Sequence, residues 1–129
     1  RASVSSDDAA AASNTEAARR LAAADVVIST LPAHAADPLA HPLRQALDQA
    51  EGTRPGAVML DVVYAPWPTA VAGAWAHAGG ALAPGWLMLL HQAVPQVQLM
   101  TGQQPDIDLM RTALLAAVAP TTDTSTTAY

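Results

Sequence analysis

The sequence predicts an α/β domain, part of a parallel sheet flanked by helices with further helices at its C-terminal end. Three observations carry that reading. First, Asp25-Val26-Val27-Ile28-Ser29-Thr30 and Ala57-Val58-Met59-Leu60-Asp61-Val62-Val63 are short apolar runs without polar alternation, the pattern of strands covered on both faces. Second, a helical pattern follows each run, and strands alternating with helices build βαβ units rather than hairpins. Third, 129 residues with 51% hydrophobic and 13% charged side chains suit one domain with its own core. A disordered chain would show the reverse balance. Every apolar run is broken by Pro, His, Gln or Asp before 18 residues, so no segment reads as membrane-spanning.

Residues 1–24 turn from polar to Ala-rich and predict a helical lead-in near 9–23, with Asp7 or Asp8 as its cap. The first strand ends at Leu31-Pro32, because Pro32 cannot donate to a ladder. After Asp37-Pro38, the spacing of Leu39, Leu43, Ala46 and Leu47 predicts a helix that Gly52 to Gly56 breaks. The second strand runs into Tyr64-Ala65-Pro66-Trp67-Pro68-Thr69, a loop by its two prolines. Ala70 to Ala78 predicts a helix stopped by Gly79-Gly80, and Ala81-Leu82-Ala83 a brief strand. Gly85 then introduces the apolar run Trp86 to Val97. Pro95 inside it predicts a kink or two helical pieces, since proline removes one backbone bond and clashes with a preceding carbonyl. Asp106 is a cap for a last helix over 109–118, and the Thr-rich stretch 119–129 reads as a mobile tail.

The net charge of −5 and the pI of about 5.0, with no basic cluster beyond Arg19 and Arg20, argue against a nucleic-acid partner. With no Cys, disulfides, zinc–thiolate sites and thiol nucleophiles are excluded together. His34, His41, His77 and His91 stand in no metal-ligand spacing and have no acidic cluster beside them, so no metal site is expected. Ser29 and Thr30 offer hydroxyls without a His–acid partner at a readable spacing. All six cationic side chains are Arg, so a mechanism that needs lysine must take it from elsewhere. The chain begins at Arg1 without a signal-peptide pattern, and is expected to be a piece of a longer product.

Parallel sheets bind ligands beyond the carboxyl ends of their strands. Those ends are Ser29-Thr30-Leu31-Pro32, Val62-Val63-Tyr64 and Pro84-Gly85, which is where a site is expected. Asp61 reads either as an abnormally titrating group or as an acceptor for the amides of the following loop. Trp67, Trp75 and Trp86 read as core or interface anchors, and His91 as a packing residue.

Three segments then stand out in order: residues 25–32, the loop Leu60-Asp-Val-Val-Tyr-Ala-Pro-Trp-Pro-Thr69, and Gly85-Trp-Leu-Met-Leu-Leu-His-Gln92, with Thr101-Gly102 shortly after. Together they resemble the C-terminal half of shikimate dehydrogenase, particularly its actinobacterial form. The resemblance covers about 25–118 and implies the second half of a Rossmann-like, NADP-binding domain plus C-terminal helices. It implies that the N-terminal substrate domain, with the catalytic Lys and Asp, and the glycine-rich pyrophosphate turn are missing. Tyr64 and Gln92 match the family's substrate-binding tyrosine and glutamine. Thr30, Leu31, Val62, Gly85 and Met88 match positions beside the cofactor, Gly85 where a Cβ would intrude on the nicotinamide. On residue type alone, Met88 equally suits a core methionine and Gln92 a helix-rim glutamine. Where the pattern commonly reads Gly-Leu-Gly-Met this chain has Gly85-Trp86-Leu87-Met88 and so lacks the second glycine, and Ala65 departs from a common Asn or Asp.

The implied activity is NADP-dependent reduction of 3-dehydroshikimate to shikimate in aromatic amino-acid and chorismate biosynthesis, in the cytoplasm. The partners implied are the small-molecule substrate, the missing N-terminal domain and a second copy in a homodimer. The fragment alone is expected to be inactive. Two rival readings remain: a quinate- or NAD-preferring relative, and a non-catalytic interaction module acting through Trp86–Val97.

Overall fold

The structure is a computed structural model that describes residues 6–118. The chain divides after Gly85 into two compact units. The tail expected over 119–129 lies outside the described residues, as does the start of the 1–24 lead-in.

In the first unit, three strands form a parallel sheet in the order β1 (Val26–Ser29), β2 (Val58–Asp61), β3 (Ala81–Pro84). Helices α1 (Ser6–Ala22), α2 (Asp37–Gln49) and α3 (Ala70–His77) complete it. The start of α1 lies ahead of the expected position, so that Asp7 and Asp8 fall in its first turn rather than capping it. There their negative charge complements the helix dipole.

Val27 and Met59 face one another in register and are buried with Ala18 and Ala22 of α1, Leu43 and Leu47 of α2, and Val71, Ala72 and Trp75 of α3. All three helices therefore cover the same face of the sheet. Sequential strand order explains this for α2 and α3, because crossovers of one hand in the same direction deposit their helices on one side, and α1 joins them by packing on α2. The opposite face contradicts the expectation of strands buried on both sides: Val26 is 65% and Ile28 62% exposed. Among the described residues nothing pairs with the outer edge of β1.

The α3–β3 turn shows how locally the sequence sets this fold. Trp75 is fully buried, and its indole N–H donates to the Ala81 carbonyl at 3.1 Å. A Cβ on Gly80 would overlap that indole ring, so the ring and the reversal need glycine there. Trp67 packs half-buried against the same core.

In the second unit, α4 (Gly85–Thr101) starts on the last residue of the first, and α5 (Ile107–Val118) follows a short connection. Of the expected kink or pair of pieces, the pair is not what forms: α4 runs through Pro95 as one helix. Proline there removes only the bond to the His91 carbonyl, and His91 is exposed, where water can take its place. That exposure also differs from the packing role read for His91. Asp106 caps α5 as expected, its Oδ1 accepting from the amides of Asp108 at 3.0 Å and Leu109 at 3.1 Å. No helix among the described residues is long and apolar enough to cross a membrane.

Candidate functional site

The paired row Ser29, Asp61 and Pro84 closes the sheet at its carboxyl edge. The next residue in each strand is Thr30, Val62 and Gly85. Three of the five positions expected beside a cofactor thus continue one register row. The Val62 amide extends it, donating to the Ser29 carbonyl at 3.0 Å. Leu31 follows Thr30, and both are exposed. Beside them a cavity of about 170 Å³ is walled by Leu21, Leu39, Met59 and Val71.

Asp61 explains how the edge is held. It is 1% exposed, yet both oxygens are engaged: Oδ1 accepts from the Val63 amide at 3.1 Å and Oδ2 from the Thr69 hydroxyl at 2.7 Å. Thr69 in turn caps α3, its Oγ1 accepting from the Ala72 amide at 3.2 Å. A buried carboxylate is stable only when so satisfied. Of the two sequence readings of Asp61, the structure supports the loop-fixing one. The clasp ties the end of β2 to the start of α3 and closes the loop that carries Tyr64, which is 47% exposed. Both X–Pro bonds of this loop, Ala65–Pro66 and Trp67–Pro68, are cis.

Gly85 is buried against the end of β2. A Cβ there would overlap the Val62 carbonyl, so the backbone approach needs glycine before any ligand is considered. Met88 and Gln92 lie one helical turn apart on α4, in the second unit. Met88 is half-buried and Gln92 exposed. Residues 30, 31, 62, 64 and 85 are thus gathered by one sheet edge, while 88 and 92 share one helix.

The sequence reading missed a second group at this edge. His34 Nδ1 and Asp37 Oδ2 are 2.9 Å apart at the entry to α2. They line a pocket of about 140 Å³ with Pro66, Pro68 and Thr69. The signal was legible as a histidine three residues ahead of the Asp that opens a helix. Among the described residues no group of three His, Asp or Glu is placed to hold a metal.

Comparison with known proteins adds independent evidence. Residues 85–115 match the model of the family described as the shikimate 5'-dehydrogenase C-terminal domain. The chain is 39% identical over 94 residues to the shikimate dehydrogenase (NADP(+)) of Rubrobacter xylanophilus, covering 70% of this chain and 31% of that protein. Among solved structures, Mycobacterium tuberculosis shikimate dehydrogenase superposes with a TM-score of 0.61 at 40% identity, over 78% of this chain and 35% of that one. A shikimate 5-dehydrogenase from Mycobacterium fortuitum gives 0.58 at 38% identity, over 74% and 32%. The chain spans about a third of the length of these relatives. It is similar to the C-terminal portion of shikimate dehydrogenases, and shares their α/β architecture.

Proposed function

We propose that this chain is the C-terminal portion of an NADP-dependent shikimate dehydrogenase, which reduces 3-dehydroshikimate to shikimate in aromatic amino-acid biosynthesis. The observation that carries the reading is that Thr30, Val62 and Gly85 directly follow the paired row Ser29, Asp61 and Pro84 at the carboxyl edge, matching the family pattern in order. The edge suits the nicotinamide half of NADP, and the apolar cavity beside Thr30 and Leu31 supports that reading. When bound, the cofactor supplies the hydride.

The chain's own residues bind and orient. Thr30, Leu31 and Val62 present backbone and apolar surface at the edge, with Met88 further along α4. The exposed phenol of Tyr64 and the exposed amide of Gln92 are hydrogen-bonding groups for the hydroxyls of the substrate. The proton relay belongs to the family's Lys–Asp pair in the preceding domain, and this chain contains no lysine. The isolated 129 residues are therefore inactive. That nothing pairs with the outer edge of β1 among the described residues supports a place there for the preceding part of the sheet.

The test joins this chain to the preceding two thirds of the Rubrobacter relative and follows NADPH formation from shikimate. Turnover by the joined protein and none by the chain alone is the expected result. A folded chimera that neither binds NADPH nor oxidises shikimate rejects the reading, and turnover by the chain alone rejects the assignment of the relay.

A further inference from the structure

The pocket at the entry to α2 is not used in the reading above. His34 has φ +68°, in the left-handed region, which turns its side chain toward the entry of α2 only as part of a tight loop. Its Nδ1 is fixed by Asp37 Oδ2 at 2.9 Å, which sets the ring plane. The side chains are accessible, 72% exposed for His34 and 44% for Asp37. Among the described residues, no hydrogen bond engages the imidazole Nε2 or the other Asp37 oxygen.

The walls restrict what fits. Pro66 and Pro68 present apolar rings, and the Thr69 hydroxyl is already committed to Asp61 and Ala72. The open polar groups are thus one carboxylate oxygen and one imidazole nitrogen, next to an apolar wall. A carboxylate repels phosphate and accepts from hydroxyls, and with Nδ1–H given to Asp37 the Nε2 of a neutral imidazole accepts from a hydroxyl as well. A ring with two adjacent hydroxyls on one edge and a C–H face meets that arrangement.

We propose that this pocket binds a vicinal diol, with Asp37 and His34 as its hydrogen-bonding partners and Pro66 and Pro68 as the apolar wall. The site stands on its own geometry. It rests on the reading above only for the source of the diol, which is either a nucleotide ribose or a polyhydroxylated carbocycle.

The test titrates the isotope-labelled 129-residue chain with ribose 5-phosphate, 2-deoxyribose 5-phosphate or shikimate, following amide and imidazole resonances. Saturable shifts at His34, Asp37, Thr69 and Ala70 are expected with ribose 5-phosphate, shikimate or both, and none with the deoxy sugar. Response to the first alone identifies the nucleotide as the source, and response to shikimate alone the substrate. Asp37→Asn and His34→Gly should each weaken binding about tenfold. His34→Gly relaxes the backbone, so loss of binding with it does not reflect a failure to fold. Equal response to the deoxy sugar, no response to either diol, or unchanged affinity in both variants overturns the proposal. If the joined enzyme binds NADPH and turns over shikimate, and neither is affected by these variants, this inference is overturned and the reading above stands.

Discussion

The Thr69 hydroxyl donates to Asp61 Oδ2 at 2.7 Å while accepting from the Ala72 amide, so one side chain closes the β2–α3 loop and caps α3. Asp61→Ala leaves both the part-buried Val63 amide and the Thr69 hydroxyl without this partner. The expected loss of unfolding free energy is about 2–3 kcal/mol, the range for bonds to a charged group. Thr69→Ser keeps both bonds and should stay within about 0.5 kcal/mol, whereas Thr69→Val should approach the Asp61→Ala value. Urea denaturation of the three variants checks the ranking, and equal stability of Thr69→Val and wild type would sink the clasp.

Gly85 carries two separate demands. Resemblance assigns it to the cofactor, but a Cβ there meets the Val62 and Asp61 carbonyls of the chain itself. Gly85→Ala is therefore expected to destabilise the isolated chain by about 1–3 kcal/mol through overpacking, with no ligand present. Calorimetry of the variant without NADP isolates this effect. A wild-type melting temperature would show that the crowding is relieved elsewhere, and would leave the cofactor as the sole reason for glycine.

These two positions show what the sequence made legible. Strand and helix order, the Asp106 cap and the loop-fixing role of Asp61 follow from local chemistry: apolar runs, capping offsets, and a carboxylate at a strand end. The uncovered face of β1 did not follow, because Val26 and Ile28 have the composition of a doubly buried strand whatever lies over them. Continuity of α4 through Pro95 escaped for a similar reason. Whether proline breaks a helix depends on whether the freed carbonyl can find water, and only the fold shows that His91 is exposed. The His34–Asp37 pair needed the left-handed backbone at His34 to close, which sequence periodicity does not register.

An open parallel edge beside exposed apolar side chains is a template for intermolecular pairing. The isolated chain is expected to self-associate through β1. Ile28→Lys, placed on the open face and directed away from the helix layer, should raise the monomer fraction in size-exclusion light scattering while leaving the far-ultraviolet spectrum unchanged. If β1 joins preceding strands in the parent enzyme, the same substitution should weaken the joined protein. A wild-type chain that stays monomeric at high concentration removes the basis for the first expectation, and a joined protein of unchanged stability removes the basis for the second.

Tyr64 and Gln92 come from different parts of the chain, a loop after β2 and the middle of α4, and both end in neutral hydrogen-bonding groups that are exposed. Neither is tied to a partner among the described residues, so removing its polar tip should cost little stability. In the joined enzyme, Tyr64→Phe and Gln92→Leu should each lower kcat/KM for shikimate about tenfold, matching the loss of a hydrogen bond of about 1–1.5 kcal/mol. KM for NADP should not change, because neither residue is assigned to the cofactor. The sign of the split decides their role. A rise in KM for shikimate alone identifies binding, and a fall in kcat at fixed KM identifies positioning of the reacting carbon. If both variants instead raise KM for NADP and spare shikimate, the two side chains face the cofactor and the substrate contacts lie elsewhere.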